Sequence, residues 1–416
     1  MYNKAVNIFI FLIVCIVPLI ITPGHSDYYY LPKITIIYML CLILILYLII
    51  NTKLKEIKIN TFLLLYVLSV SASFMFSIDK TTSLWGKPLR CEGLLAIISY
   101  ALIYTAAANF YKIKKSFVDL FLLSAFLIAL YGIFQYFGYD FIPKDPRRIK
   151  WVKIAFSTIG NPNFLGSYIV LVLPVSIFMW INFRKKRYLL LSCIFYMCLL
   201  CTRTRSAWLG FIFSFALMII FNIKDKINMK HLYIAIAFFT AITIFLNFYG
   251  QNETEKKFVS IISDAEKVYE KSPKAEYAGS TRIFIWERAV KLIKNKPLLG
   301  YGPDTFGIVF MNNYKKDILY VIGNEIIDKA HNEYLETAVT CGLITLVFYI
   351  LFIFNAIKKS YRSINKNKYI IPVLLSVSGY LVQAFFNISV VSVAPVFWAM
   401  LGILSSLSNE VIENES

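Results

Sequence analysis

Long apolar runs decide what this chain can become. Stretches of about 20 residues with few or no charges recur along the sequence, the length an α-helix needs to cross the hydrocarbon core of a bilayer. Inside lipid the backbone must satisfy its own hydrogen bonds, so repeated runs of this length specify helices. About twelve are expected, near residues 5–22, 31–50, 60–77, 93–111, 116–137, 164–182, 187–202, 206–222, 231–249, 332–356, 369–388 and 392–408. The expected fold class is an all-α polytopic membrane protein, with residues 1–416 forming one integral membrane domain. Composition agrees. The chain is 58% hydrophobic and 16% charged, whereas a soluble domain carries about 25% charged residues. An ordinary soluble enzyme is excluded.

The formal charge is +19. In a soluble protein that balance points to nucleic acid; here it does not. The basic residues cluster in short loops between the apolar runs: Lys53, Lys55 and Lys58; Lys112, Lys114 and Lys115; Arg184, Lys185, Lys186 and Arg187; Lys224, Lys226 and Lys230; and Lys358, Lys359, Arg362, Lys366 and Lys368. All of these loops fall on one side if the N-terminus is cytoplasmic, as the positive-inside rule requires. The reading is a multi-pass protein of the cytoplasmic (inner) membrane with both termini in the cytoplasm, membrane lipid around it and no nucleic-acid partner. The first run follows Lys4 but has no small-x-small cleavage site after it, so it reads as a span and not a signal peptide. Cys198 and Cys201 form a C-x-x-C inside an apolar run and read as buried thiols.

One hydrophilic segment is long, residues 250–331 between the ninth and tenth helices, and the topology faces it outward. Shorter outer loops cover 79–92 and 141–163. The long segment has helical periodicity. Ile283, Trp286, Val290 and Ile293 share one face, with Ser280 as the expected N-cap and Pro297 as the stop. Phe258, Ile261, Ile262, Ala265 and Tyr269 mark a second amphipathic helix. Leu299-Gly300-Tyr301-Gly302-Pro303 reads as a turn.

Chemistry is concentrated on the same outer side. His331, one of three histidines, sits where the long loop meets the tenth helix. In the first turn of that helix the dipole keeps imidazole neutral, and neutral imidazole accepts a proton from an attacking hydroxyl. Asp328 either opposes this or orients the ring. Arg203 and Arg205 flank the turn between the seventh and eighth helices with no acidic residue near in sequence. An external anion is the expected partner of Arg205, since a guanidinium fork suits phosphate oxygens. Arg282, at the start of an amphipathic helix where the dipole disfavours a cation, follows the same logic. Arg288 on that helix reads as a surface charge. Asn163 is the expected cap of the sixth helix, with Pro162 stopping structure upstream. Asn161, Asn163, Arg203 and Asn332 are candidate substrate contacts. There is no Asp-x-Asp, and Glu333-x-x-Glu336 alone is weak, so neither metal nor cofactor is expected.

Four segments together resemble the O-antigen ligase family, which also takes in O-antigen polymerases and protein O-oligosaccharyltransferases. They are Gly160–Gly166, Arg205–Gly210, Ser280–Ala289 with Pro297–Pro303, and Ala330–Leu335. The motifs cover residues 155–355; the remaining helices match in topology only. Members commonly have glycine after the first arginine, and Ser206 is a small replacement.

The resemblance implies a GT-C-like fold and a metal-independent, inverting glycosyltransferase. Such an enzyme moves a glycan from undecaprenyl pyrophosphate to an acceptor hydroxyl on a glycolipid, glycan or surface protein outside the cytoplasmic membrane. It implies that Arg205 and Arg282 bind pyrophosphate and that His331 is catalytic, as base or acceptor-orienting group. A surface-polysaccharide polymerase is the alternative within the family. A polysaccharide transporter or flippase is the alternative outside it. Two six-helix halves would put a long cytoplasmic loop after the sixth helix, and that connection is short.

Overall fold

The computed structural model describes residues 2–51, 57–143, 145–148, 151–224, 229–270 and 278–413. Of the basic loop residues, Lys53, Lys55 and Lys226 lie outside them. Sixteen α-helices are formed by the described residues. They are α1 (Tyr2–Phe11), α2 (Leu31–Asn51), α3 (Thr61–Met75), α4 (Lys80–Trp85), α5 (Leu94–Phe110), α6 (Lys115–Tyr136), α7 (Pro162–Phe183) and α8 (Lys186–Cys201). Then follow α9 (Arg205–Lys224), α10 (Met229–Tyr249), α11 (Glu253–Tyr269), α12 (Ala278–Asn295), α13 (Phe306–Val321), α14 (Glu333–Arg362), α15 (Ile370–Ala384) and α16 (Ala394–Glu413).

Each expected apolar run carries a helix. By length and composition α2, α6, α7, α10 and α14 are long and apolar enough to cross a membrane; the other apolar helices are shorter. This is a multi-pass membrane protein. Its outer surface shows why: Met39, Leu42, Ile43 and Ile50 of α2 are each more than half exposed, a pattern suited to lipid and not to water. At the centre, the apolar window of α7 is buried throughout, enclosed by α8, α9 and α15. Cys198 and Cys201 on α8 are buried free thiols. The first helix loses regular geometry in a π turn at Leu12–Ile16 and a 3₁₀ turn at Val17–Leu19, where Pro18 removes a backbone donor.

The long hydrophilic segment is built from α11, α12 and α13, packed on the bundle. Of these, α13 was not expected. The segment is anchored at a break in α14. Gly342 there has φ +87 and ψ 167, outside helical geometry. The chain from Pro297 to Gly302, which runs from the expected helix stop into the expected Leu299–Pro303 turn, is laid into the break. Leu343 N–H donates to Pro297 O at 2.7 Å, while Tyr301 and Gly302 N–H donate to Thr340 O at 2.9 and 2.7 Å. Backbone groups that a helix interruption would leave bare are thereby satisfied. A Cβ on Gly342 would lie 2.0 Å from Leu298 O, so only glycine permits this approach. The insertion fixes the segment relative to the start of α14, where His331 lies.

Candidate active site

The site is assembled from the first turn of α9, the facing sides of α11 and α12, and the residues before α14. Arg205 opens α9. Its Nη1 donates to Asp264 Oδ2 on α11 at 2.6 Å and to Ser260 Oγ at 3.1 Å. Arg205 therefore has an internal carboxylate partner, 59 residues away. The expected external anion would therefore share Arg205 with an acid that an amphipathic helix brings to it. Asp264 also accepts the Gly279 N–H at 3.1 Å, which ties it to the start of α12. Burial pushes the Asp264 carboxyl up, but the Arg205 guanidinium and the Gly279 N–H outweigh it and hold it below its usual range.

Arg282 projects from α12 into the same cavity. The helix begins at Ala278, ahead of the expected cap Ser280, whose side chain lies outside the description. Gly279 and Thr281 both have positive φ, so the start is irregular. Arg282 Nη1 donates to Gly279 O at 3.1 Å, and its Nε is buried with no hydrogen-bond partner among the described residues. Burial, and then the positive charge of Arg205, lower its pKa to about 10. Arg205, its partner Asp264 and Arg282 together line a cavity of about 540 Å³. The rest of the wall is largely apolar, including Leu209, Ile261, Trp286 and Phe386.

Trp286 links this cavity to His331. It lies one turn after Arg282 and donates its indole N–H to Ala330 O at 3.0 Å, the carbonyl just before His331. His331 has φ +51, a left-handed conformation uncommon for a side-chain-bearing residue. It precedes the N-cap and does not sit in the first turn of α14. The cap is Asn332, whose side-chain oxygen accepts Tyr334 and Leu335 N–H at 3.0 Å. The dipole expectation is corrected accordingly. The imidazole is kept neutral by burial first and by the Arg282 charge second, which lower its pKa to about 4 against the pull of Asp328. Asp328 does not orient the ring through a bond of its own; its carboxylate receives Arg90 Nε at 2.8 Å. Burial pushes the Asp328 carboxyl up, and Arg90 more than offsets this.

The remaining candidates separate. Asn332 is 1% exposed and caps α14. Asn161, not Asn163, caps α7, with Pro162 inside the first turn. Asn163 Oδ1 accepts Thr204 Oγ1 at 3.3 Å. Asn161, Asn163 and Arg203 line a second, polar cavity next to the first. Arg203 faces Glu253 at 3.7 Å and the Tyr136 ring at 5.6 Å. Arg288 is no surface charge: its guanidinium stacks 3.5 Å over Phe284, pairs with Asp317 at 3.1 Å and has a side chain only 12% exposed.

Sequence reading missed two charges that frame the site. Arg90, from the 79–92 loop, reaches Asp328. Lys329 is buried between Asp304 at 2.5 Å and Glu336 at 3.1 Å. Burial alone would lower the Lys329 pKa, and its two carboxylates raise it instead. Neither residue has a local signal, because their partners come from other elements. Glu333 accepts the Tyr349 hydroxyl at 2.6 Å, so the Glu-x-x-Glu pair is divided between different contacts.

With this geometry in view, the comparisons locate the chain. Residues 189–350 match the model of the O-antigen ligase family. This stretch is similar to the O-antigen ligases. Arg205, Arg282 and His331 all fall inside the matched stretch, as do α11 and α12. A protein of Haemophilus influenzae strain Rd, named only as uncharacterised, is 28% identical over 161 residues. That alignment covers 39% of this chain and 40% of the relative, so the chain spans well under two thirds of the relative's length. The matched stretch thus holds Arg205, Arg282 and His331, while both cavities also draw on residues outside it, Phe386 in the apolar one and Trp151, Asn161 and Asn163 in the polar one.

Proposed function

We propose that this protein is an inverting glycosyltransferase of surface-polysaccharide assembly, working at the outer face of the cytoplasmic membrane. The twelve apolar helices cross the bilayer, both termini are cytoplasmic, and α11–α13 lie outside. The donor is a glycan on a polyprenyl pyrophosphate such as undecaprenyl pyrophosphate. Its lipid enters the apolar cavity and its pyrophosphate lies between Arg205 and Arg282. The acceptor hydroxyl attacks the anomeric carbon from the face opposite the pyrophosphate. The new carbon–oxygen bond forms, the bond to the pyrophosphate oxygen breaks, and its electron pair leaves with the lipid. His331 takes the hydroxyl proton. The arginines stabilise negative charge growing on the leaving group. No metal is assigned a role.

The observation carrying this reading is the cavity that Arg205, Asp264 and Arg282 line together on a largely apolar wall, tied through Trp286 to the residue preceding a neutral histidine. Such a wall favours a dianion with a hydrocarbon tail. The test is transfer by His331→Ala in a strain lacking the native gene. Loss of glycan transfer with normal amounts of membrane-embedded protein is expected. Normal transfer would refute the role given to His331.

A further inference from the structure

The polar cavity next to the arginine site is unassigned in the reading above. Its volume is about 320 Å³, within the range of about 300–1,000 Å³ usual for small-molecule sites. Its wall includes Trp151, Asn161, Asn163, Arg203, Glu253 and Lys257. Planar amides, a carboxylate and cations supply both donors and acceptors, and an indole supplies an apolar face. That combination matches a sugar ring, which has hydroxyls at its edge and C–H groups on its faces.

Its position is the stronger argument. Two elements line both cavities. On α11, Glu253 and Lys257 face the polar cavity, and Ile261 and Ala265, further along the helix, face the apolar one. At the start of α9, Arg203 and Thr204 line the polar cavity and Arg205 and Ser206 the apolar one. The Arg205–Ser260–Asp264 cluster lies where the two meet along α11. A polar pocket, a cation and an apolar pocket therefore follow one another along α11. A lipid-linked sugar has the same order: sugar, phosphate, hydrocarbon.

We propose that the polar cavity binds the donor's first sugar ring, the one attached to pyrophosphate, with Trp151 against a face of the ring. Sugar, pyrophosphate and lipid are then held in register across Arg205. This rests on the donor class given under Proposed function.

The test uses the purified full-length protein in nanodiscs and two probes, farnesyl pyrophosphate and the same lipid carrying one N-acetylglucosamine. Wild-type protein should bind the glycosylated probe about tenfold more tightly. Trp151→Ala should remove that advantage and leave farnesyl pyrophosphate binding within about twofold. Lys257→Ala, on α11, should lower the advantage without touching Trp151, whose ring centroid packs 5.3 Å from that of Phe156. Equal binding of both probes by wild-type protein would overturn the inference. So would a Trp151→Ala variant that retains the advantage while transfer slows, because the cavity would then serve the acceptor sugar. Binding of neither probe would bring down the donor class itself, a distinguishable failure.

Discussion

Lys329 and His331 are two residues apart, yet they belong to opposite electrostatic regimes. Lys329 is held between Asp304 and Glu336, and Asp304 also accepts Lys87 N–H at 2.6 Å. Beside it Arg90 and Asp328 pair at 2.8 Å. In this region Lys329 and Arg90 each face a carboxylate at close range. Around His331 and Arg282 the balance is reversed. Arg282 lies close enough to Arg205 for their charges to repel, its Nε is buried with no hydrogen-bond partner among the described residues, and the imidazole is held neutral. Saturated charge acts as a clamp, joining loop 79–92, the residues before α13 and the start of α14. The positive charge of Arg282, by contrast, is where the proposed mechanism seats an anion from outside. The two regions look alike in sequence, since both are basic residues in polar loops. Their pairing tells them apart.

This contrast can be broken by mutation. The largest effect is expected on stability at the clamp. Lys329→Ala leaves Asp304 and Glu336 buried without their cation, and breaking such a buried pair costs about 3–5 kcal/mol. Thermal unfolding in detergent and the yield of membrane-inserted protein would register it. Stable, abundant Lys329→Ala protein would mean the clamp is not a clamp.

Arg282→Ala should do the opposite. It removes a buried cation lying near Arg205, so folding should be little changed. Transfer should fall by about 10²–10³-fold, as when one charge-stabilising donor is removed from an active site. Comparing initial rates at matched protein levels separates the two cases.

A smaller effect is expected with pH. The His331 pKa is lowered to about 4 from the usual 6.5. The neutral imidazole therefore persists well below the ordinary histidine value, and transfer should stay level down to about pH 5 and decline near pH 4. Between pH 6.5 and 4 the unfolded chain binds a proton that the folded chain excludes, so the stability contribution of this residue falls as pH falls through that window. Arg282→Gln removes the second cause of the depression and should move the acid limb upward. An acid limb at 6.5 in the native protein would contradict the electrostatic picture. Smallest of all, Asp264→Asn should tighten pyrophosphate-lipid binding by about fivefold, about 1 kcal/mol, because the carboxylate no longer competes for Arg205. Weaker binding would show that Asp264 positions Arg205 and does not compete with the ligand.

Much of the framework was legible because it is set by local periodicity. Apolar runs placed the helices of the bundle. The Ile283–Ile293 and Phe258–Tyr269 patterns placed α12 and α11, with only their edges off. What stayed hidden depends on pairs far apart in the chain. Asp264 meets Arg205 across 59 residues and Asp328 meets Arg90 across 238. No spacing rule announces such partners. The Leu299–Pro303 segment reads as a turn because its two glycines and its proline are turn residues, and only the break at Gly342 shows where the chain docks. Asn161 takes the α7 cap because Pro162 is favoured in the first turn of a helix, which moves the cap one residue before it. The three principal candidates, Arg205, Arg282 and His331, stand close in the fold, whereas Asn332 is occupied by its cap.

The account turns on two arginines acting together on one pyrophosphate. The direct measurement is equilibrium binding of farnesyl pyrophosphate to wild-type protein, Arg205→Ala, Arg282→Ala and the double variant. Each single substitution is expected to weaken binding by tenfold or more, with the double variant losing less than the product of the two losses, the coupling expected of residues that share a ligand. Single variants that bind within twofold of wild type, or losses that simply multiply, would contradict it.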